Sequence, residues 1–297
     1  METIKIGNLT VFKGEKNGKY PSGNSVLIKD QVCLLVDPSL DIHQEGRKAV
    51  DGNVDLIINS HAHEDHFASN YLFPESEILI HHKDIEPMQS LDALLDAYEI
   101  KESERERIGK LLTEIFNYQP FNELRTIADG EVLDLGRNKV HVIHAPGHTP
   151  GHVMLLFEPD NILFVADLDL TSFGPYYGDV HSNLEDTIRS IEKMRSMAND
   201  VYACISFHQA CVVRNDIRGA IDSFCNVIWD RENRLLEFLA EPRTFDEIID
   251  KCIVYRKKIP GLFWQDTVEK NMMSQHIDRL LRQKRITKEE DGRLRAT

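Results

Sequence analysis

The segment Ser60-His61-Ala62-His63-Glu64-Asp65-His66 constrains this chain more than any other. It follows Val54-Asp55-Leu56-Ile57-Ile58-Asn59, a compact apolar run that reads as a buried strand. Four candidate ligands, His61, His63, Asp65 and His66, thus fall within six positions at the C-terminal end of that strand. A loop there can turn several donors to one point. Imidazole with carboxylate is the donor set that borderline divalent metals such as zinc prefer.

Three further segments repeat the pattern of a polar donor at the end of an apolar strand. Ala145-Pro146-Gly147-His148-Thr149-Pro150-Gly151-His152 follows a strand at 139–144, and its glycines and prolines fix a tight loop that presents His148. Asp167 ends the apolar run Leu163-Phe164-Val165-Ala166, where a carboxylate is costly unless paired or bound to metal. His208 comes just after a strand at 202–206. Around these lie candidates for supporting or substrate-facing roles: His152, Asp169 two residues past Asp167, His181, and Tyr176 or Tyr177, whose hydroxyls could donate to a developing oxyanion. His43, His81, His82, His141, His144 and His276 lie on strands or helices and read as structural. The five cysteines are odd in number and form no CxxC pair, so they read as free thiols, mostly in the core.

The rest of the pattern sets these segments in a mixed α+β chain. Short strands are expected at 4–6, 9–12, 25–28, 32–37, 54–59 and 78–82, with a helix near 41–51. Residues 83–118, rich in Leu, Glu, Arg and Lys at helical spacing, are expected to form two helices: a lid, a homodimer contact, or packing onto the sheet. Strands return at 124–128, 131–135, 139–144, 152–157, 161–166 and 202–206, with helices at 184–198 and from about 215. Two β-rich halves, each followed by helices, suggest two sheets face to face with helices outside. Residues 226–297 read as helices around 234–239, from Thr244 and at 266–284, then a hairpin about Glu290-Asp291-Gly292, a small winged-helix-like module.

Charge supports that division. The formal net charge is −14, yet residues 226–297 hold 15 Lys/Arg against 13 Asp/Glu, a net of +2, leaving −16 on residues 1–225. Two domains are therefore expected, 1–225 and 226–297. The acidic first part disfavours broad nucleic-acid or acidic-membrane binding, although Arg282, Lys284, Arg285, Lys288, Arg293 and Arg295 form a basic cluster in the tail. No apolar run approaches the ~18 residues of a membrane span, and the N-terminus shows no secretory pattern, so the cytoplasm is the expected address.

The set His61-x-His63-x-Asp65-His66, His148, Asp167 and His208 resembles the metallo-β-lactamase superfamily in its His-x-His-x-Asp-His branch, which includes glyoxalase II, ribonuclease Z and quorum-quenching lactonases. The resemblance covers about residues 5–212. It implies a four-layer αβ/βα sandwich. It also implies that His61, His63 and His148 bind one metal, Asp65, His66 and His208 a second, with Asp167 bridging. One departure is Ser206-Phe207-His208-Gln209, since many relatives carry a glycine before this histidine. The tail resembles that of metallo-β-lactamase-like-protein-2-type hydrolases.

Two divalent ions, zinc by default with iron or manganese as alternatives, would share a bridging hydroxide, with Asp65 and Asp167 at the reacting centre. The leading expectation is hydrolysis of a small ester, thioester or lactone. A second reading is cleavage of single-stranded RNA, opposed by the acidic catalytic part and the lack of room for a separate nuclease insertion. A third is a non-hydrolytic iron protein, a persulfide dioxygenase or an oxygen-binding di-iron protein. The flavodiiron branch has glutamate where this chain has His63, which argues against that variant. β-Lactamase activity itself is disfavoured, because those enzymes are exported.

Overall fold

Alternation sorts the apolar residues of each strand onto two faces, and that sorting builds the fold. Leu34 and Val36 face one core while Leu35 faces another, and Ile57 and Ile58 divide the same way. In the second half, Leu163 and Val165 part from Phe164, and Cys204 from Ile205. The inner faces of both halves meet in one middle core, so two sheets stack, each with an outer face to cover.

The computed structural model describes residues 1–297 except 46, 47, 49, 51, 210 and 263. The first sheet holds seven strands in chain order: β1 (Thr3–Ile6), β2 (Leu9–Phe12), β3 (Ser25–Ile28), β4 (Leu34–Val36), β5 (Leu56–Ile58), β6 (Glu77–His81) and β7 (Leu124–Ile127). Pairing is antiparallel from β1 to β4 and parallel from β4 to β7. Between these strands lie α1 (Glu15–Gly18, one irregular turn), α2 (Leu40–Glu45), α3 (Glu64–Phe67), α4 (Ile85–Gln89), α5 (Leu91–Ala97) and α6 (Glu102–Ile115). The helix expected over 41–51 starts as α2, and part of its remaining span lies outside the described residues.

The second sheet runs β13-β12-β11-β10-β9-β8, from β8 (Val132–Asp134), β9 (Lys139–His144), β10 (Val153–Glu158), β11 (Ile162–Ala166), β12 (Ala203–Ser206) and β13 (Val212–Val213). Its outer face is covered by α7 (Leu184–Met197), α8 (Ile217–Phe238) and α10 (Gln265–Arg282), while α9 (Phe245–Asp250) and the hairpin β14 (Ile286–Lys288) and β15 (Leu294–Ala296) complete the same core. Helices, sheet, sheet and helices make an α+β sandwich with a helical C-terminal region.

Two expectations change. Residues 83–118 form three helices, not two, because the Ser90 hydroxyl accepts from the Ala93 N–H (3.3 Å) and starts α5 where α4 stops. Met88, Leu95 and Leu112 of these helices pack with Leu35, Ile57 and Ile80 over the outer face of the first sheet. The helices expected from 215 and at 234–239 are one 22-residue helix, α8, which passes position 226 unbroken. Ile221, Ile228 and Leu235 recur at the same face along it and join Met154 and Leu163 of the second sheet and Met272 and Leu280 of α10 in one core. The helix expected from Thr244 is α9, and Thr244 and Glu247 form a capping box at its start. Among the described residues no helix is long and apolar enough to cross a membrane.

Candidate metal centre

β4, β5, β9, β11 and β12 all run toward one edge of the sandwich, so their C-terminal ends deliver Asp37, the 61–66 segment, the 145–152 loop, Asp167 and His208 to one place. The sheets are tied there: Val153 N–H donates to the Ser60 carbonyl (2.9 Å) and Asn24 N–H to the Phe207 carbonyl (2.7 Å). The β11–β12 register shifts between Phe164 and Ala166, and Ala166 sits at φ 46°, a left-handed conformation uncommon for alanine. This local irregularity turns Asp167 out of the strand line toward the histidines.

Two ligand groups result. His61, His63, His148 and Asp167 form one, and Asp65, His66 and His208 the other, each with candidate ligand atoms within 4.8 Å of one another. Asp167 faces both: one oxygen lies 3.2 Å from His66 Nε2 and the other 3.3 Å from His148 Nε2. The groups thus contain all seven residues singled out from the sequence as ligands.

The hydrogen bonds assign each imidazole's tautomer. His148 donates from Nδ1 to the Tyr176 carbonyl (3.1 Å) and His63 from Nε2 to Asp179 (2.8 Å). His66 donates from Nδ1 to Asp37 (2.9 Å). His208 Nδ1 faces the carbonyls of Gly18 (3.0 Å) and Ser22 (3.1 Å), and His61 Nδ1 faces the Ser60 hydroxyl (3.1 Å), which itself donates to Asp37 (2.6 Å). In all five rings the remaining nitrogen turns inward. His148 Nε2 lies 3.0 Å from His63 Nδ1 and 3.2 Å from His61 Nε2. Ring nitrogens so close need a proton or a metal cation between them. Buried Asp65 Oδ2, Asp167 Oδ1 and His66 Nε2 also have no hydrogen-bond partner, a rare and costly condition in a folded protein. The donor set therefore fits two divalent ions, each imidazole backed by a second hydrogen bond that fixes its orientation.

Electrostatics divide the rings. Burial works against a charge on His66 and His208, yet the surrounding carboxylates, Asp167 first, raise His66 and lift His208 to about 9, so the centre draws positive charge. Burial holds His61 well below its ordinary pKa and His148 down at about 4, which favours neutral, ligand-competent rings. Burial pulls Asp167 upward, but His208 and His66 outweigh it and keep the carboxyl well below its usual value. Burial works against a charge on His63, yet Asp179 lifts it to about 9.

The remaining candidates separate. His152 donates from Nδ1 to the Ala145 carbonyl (3.1 Å) and accepts the Asp167 N–H (3.3 Å), so it holds the Asp167 backbone. Asp169 accepts the Thr171 N–H (3.1 Å), and burial with the nearby Asp167 pushes it up to about 7. The Tyr176 hydroxyl, suggested as an oxyanion donor, is committed to Asp179 (2.9 Å). Tyr177 points away from the histidines: its buried hydroxyl meets His276 (2.9 Å) and Arg231 (3.3 Å). His181 is exposed.

Four carboxylates of the site were not singled out from the sequence. Asp37, fully buried, takes His66 and both the N–H and hydroxyl of Ser60. Asp179 takes His63 and Tyr176. Asp84 takes the Thr149 hydroxyl (2.5 Å) and the Gly151 N–H (2.6 Å), fixing the His148 loop. Glu64 accepts the hydroxyls of Tyr20 (2.7 Å) and Tyr98. Asp37 carried a usable signal, a carboxylate ending an apolar strand, the same signal that marks Asp167. Tyrosine rings wall the centre: Tyr20 stands 6.4 Å from His208, Tyr98 5.5 Å from His63 and Tyr176 5.6 Å from His148.

A sequence model of the metallo-beta-lactamase superfamily matches residues 19–206, which carry every one of these ligands but His208. The chain belongs to the metallo-β-lactamase superfamily. Curated relatives in sequence include a hydroxyacylglutathione hydrolase from Francisella philomiragia, 28% identical over 180 residues (59% of this chain, 58% of that protein). The human acyl-coenzyme A thioesterase MBLAC2 is 26% identical over 145 residues (47% of this chain, 50% of that protein). This chain thus spans between half and three fifths of the length of these two relatives. In structure, a metallo-beta-lactamase family protein from Thermus thermophilus aligns with TM-score 0.73 at 17% identity, covering 98% of this chain and 99% of that one. A beta-lactamase domain protein from Burkholderia ambifaria aligns with TM-score 0.74 at 16% identity over 100% and 94%. The alignments extend the superfamily likeness in fold through the C-terminal helices.

Proposed function

We propose that this superfamily member is a hydrolase that uses two divalent metal ions, zinc in the first instance, to cleave small acyl compounds, with thioesters first and esters or lactones next. The observation that carries the reading is the convergence of five inward ring nitrogens and two carboxylates in two groups that share Asp167. His61, His63, His148 and Asp167 would hold one ion, and Asp65, His66, His208 and Asp167 the other. When bound, such ions supply an acidified water as nucleophile at neutral pH and Lewis-acid polarisation of the scissile carbonyl.

The chain's own residues supply orientation and exclusion. Asp179, the Tyr176 carbonyl and Asp37 keep His63, His148 and His66 in single tautomers. Tyr20, Tyr98 and Tyr176 surround the centre with ring faces suited to an acyl chain, their hydroxyls already spent on carboxylates. A net charge of −16 over residues 1–225 repels a polyanion, which ranks RNA below small acyl substrates. Thioesterase appears in the names of human MBLAC2 and of an Aspergillus fumigatus atrochrysone carboxyl ACP thioesterase, 22% identical over 44% of this chain.

The test is a panel of acyl thioesters, esters, lactones and single-stranded RNA offered to the zinc-loaded protein. Acyl hydrolysis that stops on chelation and in His63→Ala is the expected result. Cleavage of RNA alone would replace this reading with the nuclease. One iron per chain in protein from the native host, in place of two zinc, would replace it with the non-hydrolytic iron protein.

A further inference from the structure

Residues 173–179 form an irregular segment between two unlike neighbours. Behind it, α8 and α10 take up its backbone carbonyls. Arg231 of α8, fully buried, donates to the carbonyls of Phe173 (2.6 Å) and Pro175 (2.6 Å). From α10, Gln275 donates to the Tyr177 carbonyl (3.0 Å) and Asn271 to the Gly178 carbonyl (2.9 Å). In front of it, the Tyr176 carbonyl accepts His148 Nδ1 and the Asp179 carboxylate accepts His63 Nε2. The carbonyls of 173, 175, 177 and 178 go to the helices, and that of 176 goes to the centre.

The close approach is built into the sequence. A Cβ on Gly174, which sits at φ +81°, would fall 2.4 Å from Val227 of α8, and one on Gly178 would fall 2.7 Å from Val268 of α10. Glycine at both positions lets the segment lie directly on the helices. Burying an arginine is expensive. Here its charge meets carbonyl dipoles and the ring faces of Phe173 (5.1 Å) and Tyr177 (5.6 Å). An apolar side chain would fill the space at lower cost but would leave two buried carbonyls without donors.

We propose that Arg231, with Asn271 and Gln275, is a positioning residue for one ligand group: the C-terminal helices set the affinity for the ion held by His61, His63, His148 and Asp167 and leave the Asp65, His66 and His208 group untouched. The link runs from helix to carbonyl, along the segment, to the tautomers of His63 and His148. It rests on the two-ion reading above.

The experiment titrates Zn2+ against a chromophoric chelator in the full-length, metal-free protein, for wild type, Arg231→Lys and Asn271→Ala. Wild type is expected to take two ions. In both variants the affinity for one ion falls by about tenfold to a hundredfold, the range for losing a partner behind a ligand, while the other stays at its wild-type value. Nitrogen NMR of the imidazoles in metal-free protein gives a second readout: the hydrogen-bonded His63 Nε2 and His148 Nδ1 signals move, and the Nδ1 signals of His66 and His208 stay. Circular dichroism establishes folding, and if Arg231→Lys does not fold, Asn271→Ala decides. A folded variant with two wild-type affinities overturns this inference alone. A wild-type protein that takes no zinc overturns the two-ion reading, and unchanged His63 and His148 nitrogen signals in the variants then overturn the coupling as well.

Discussion

Behind His63 and His148 stands an irregular segment, itself held from outside by two helices; behind His66 and His208 stand a fully buried carboxylate, Asp37, and the carbonyls of Gly18 and Ser22. The inner edges of the two groups are alike, with ring nitrogens and carboxylate oxygens turned to a common point. Their supports differ in kind. Asp37 follows β4 directly, so His66 is held from the sheet itself, and His208 is held by backbone carbonyls of the loop between β2 and β3. The first group depends on a piece of chain whose conformation is settled by side chains more than 50 residues further on, such as Arg231, 56 positions from Pro175. Supports of the first kind are part of the sandwich, whereas supports of the second kind can vary without disturbing it.

The largest effect expected is at the residue both groups share. Asp167→Asn should weaken both ions by more than about a hundredfold each, beyond the range for losing a partner behind a ligand. Zinc per chain after dialysis is the measure, and loss of only one ion would break the picture of a shared carboxylate. Next come the two carboxylates behind the rings. Asp179→Asn should lower the first group's affinity alone by about tenfold to a hundredfold, while Asp37→Asn should lower the second group's by as much through His66 and the first group's by less through Ser60 and His61. Chelator competition on both single variants and the double sharpens the contrast, and an Asp179→Asn that weakens the second group's ion, or an Asp37→Asn that weakens only the first's, would erase it. The smallest effect belongs to the cap of α9. Thr244→Ala removes the bond to the Glu247 N–H and should cost about 1 kcal/mol of stability, read by thermal melting. Both zinc affinities should stay put. A fall in either would mean that general loosening of the C-terminal helices is enough to disturb the centre.

The cluster was legible because donor types alone narrow the choice. Imidazole and carboxylate placed immediately after apolar strands have few uses other than meeting at a sheet edge, and His61, His63, Asp65, His66, His148, Asp167 and His208 all meet there. Their supports were harder to read. Asp84 and Asp179 sit in loops where a carboxylate is ordinarily solvated, and only the folded chain brings Gly151 or His63 to them. Tyr176 and Tyr177 are neighbours in an extended segment, so one must face the histidines and the other α10, but the sequence does not say which. The fold followed from strand alternation. The continuity of α8 did not, because the charge shift near 226 marks a change in surface, while the buried stripe Ile221, Ile228 and Leu235 runs straight through it.

The bonds from His208 to Gly18 and Ser22 join parts of the chain 190 and 186 positions apart. Contacts of that separation form late, after the loop-closing entropy of nearly the whole sandwich has been overcome. The Asp65, His66 and His208 group is therefore finished only when folding is nearly over. An ion bound there would act as a latch on a completed structure and would have no part in seeding it. Refolding should be equally fast with zinc or with chelator, while unfolding should slow when zinc is present.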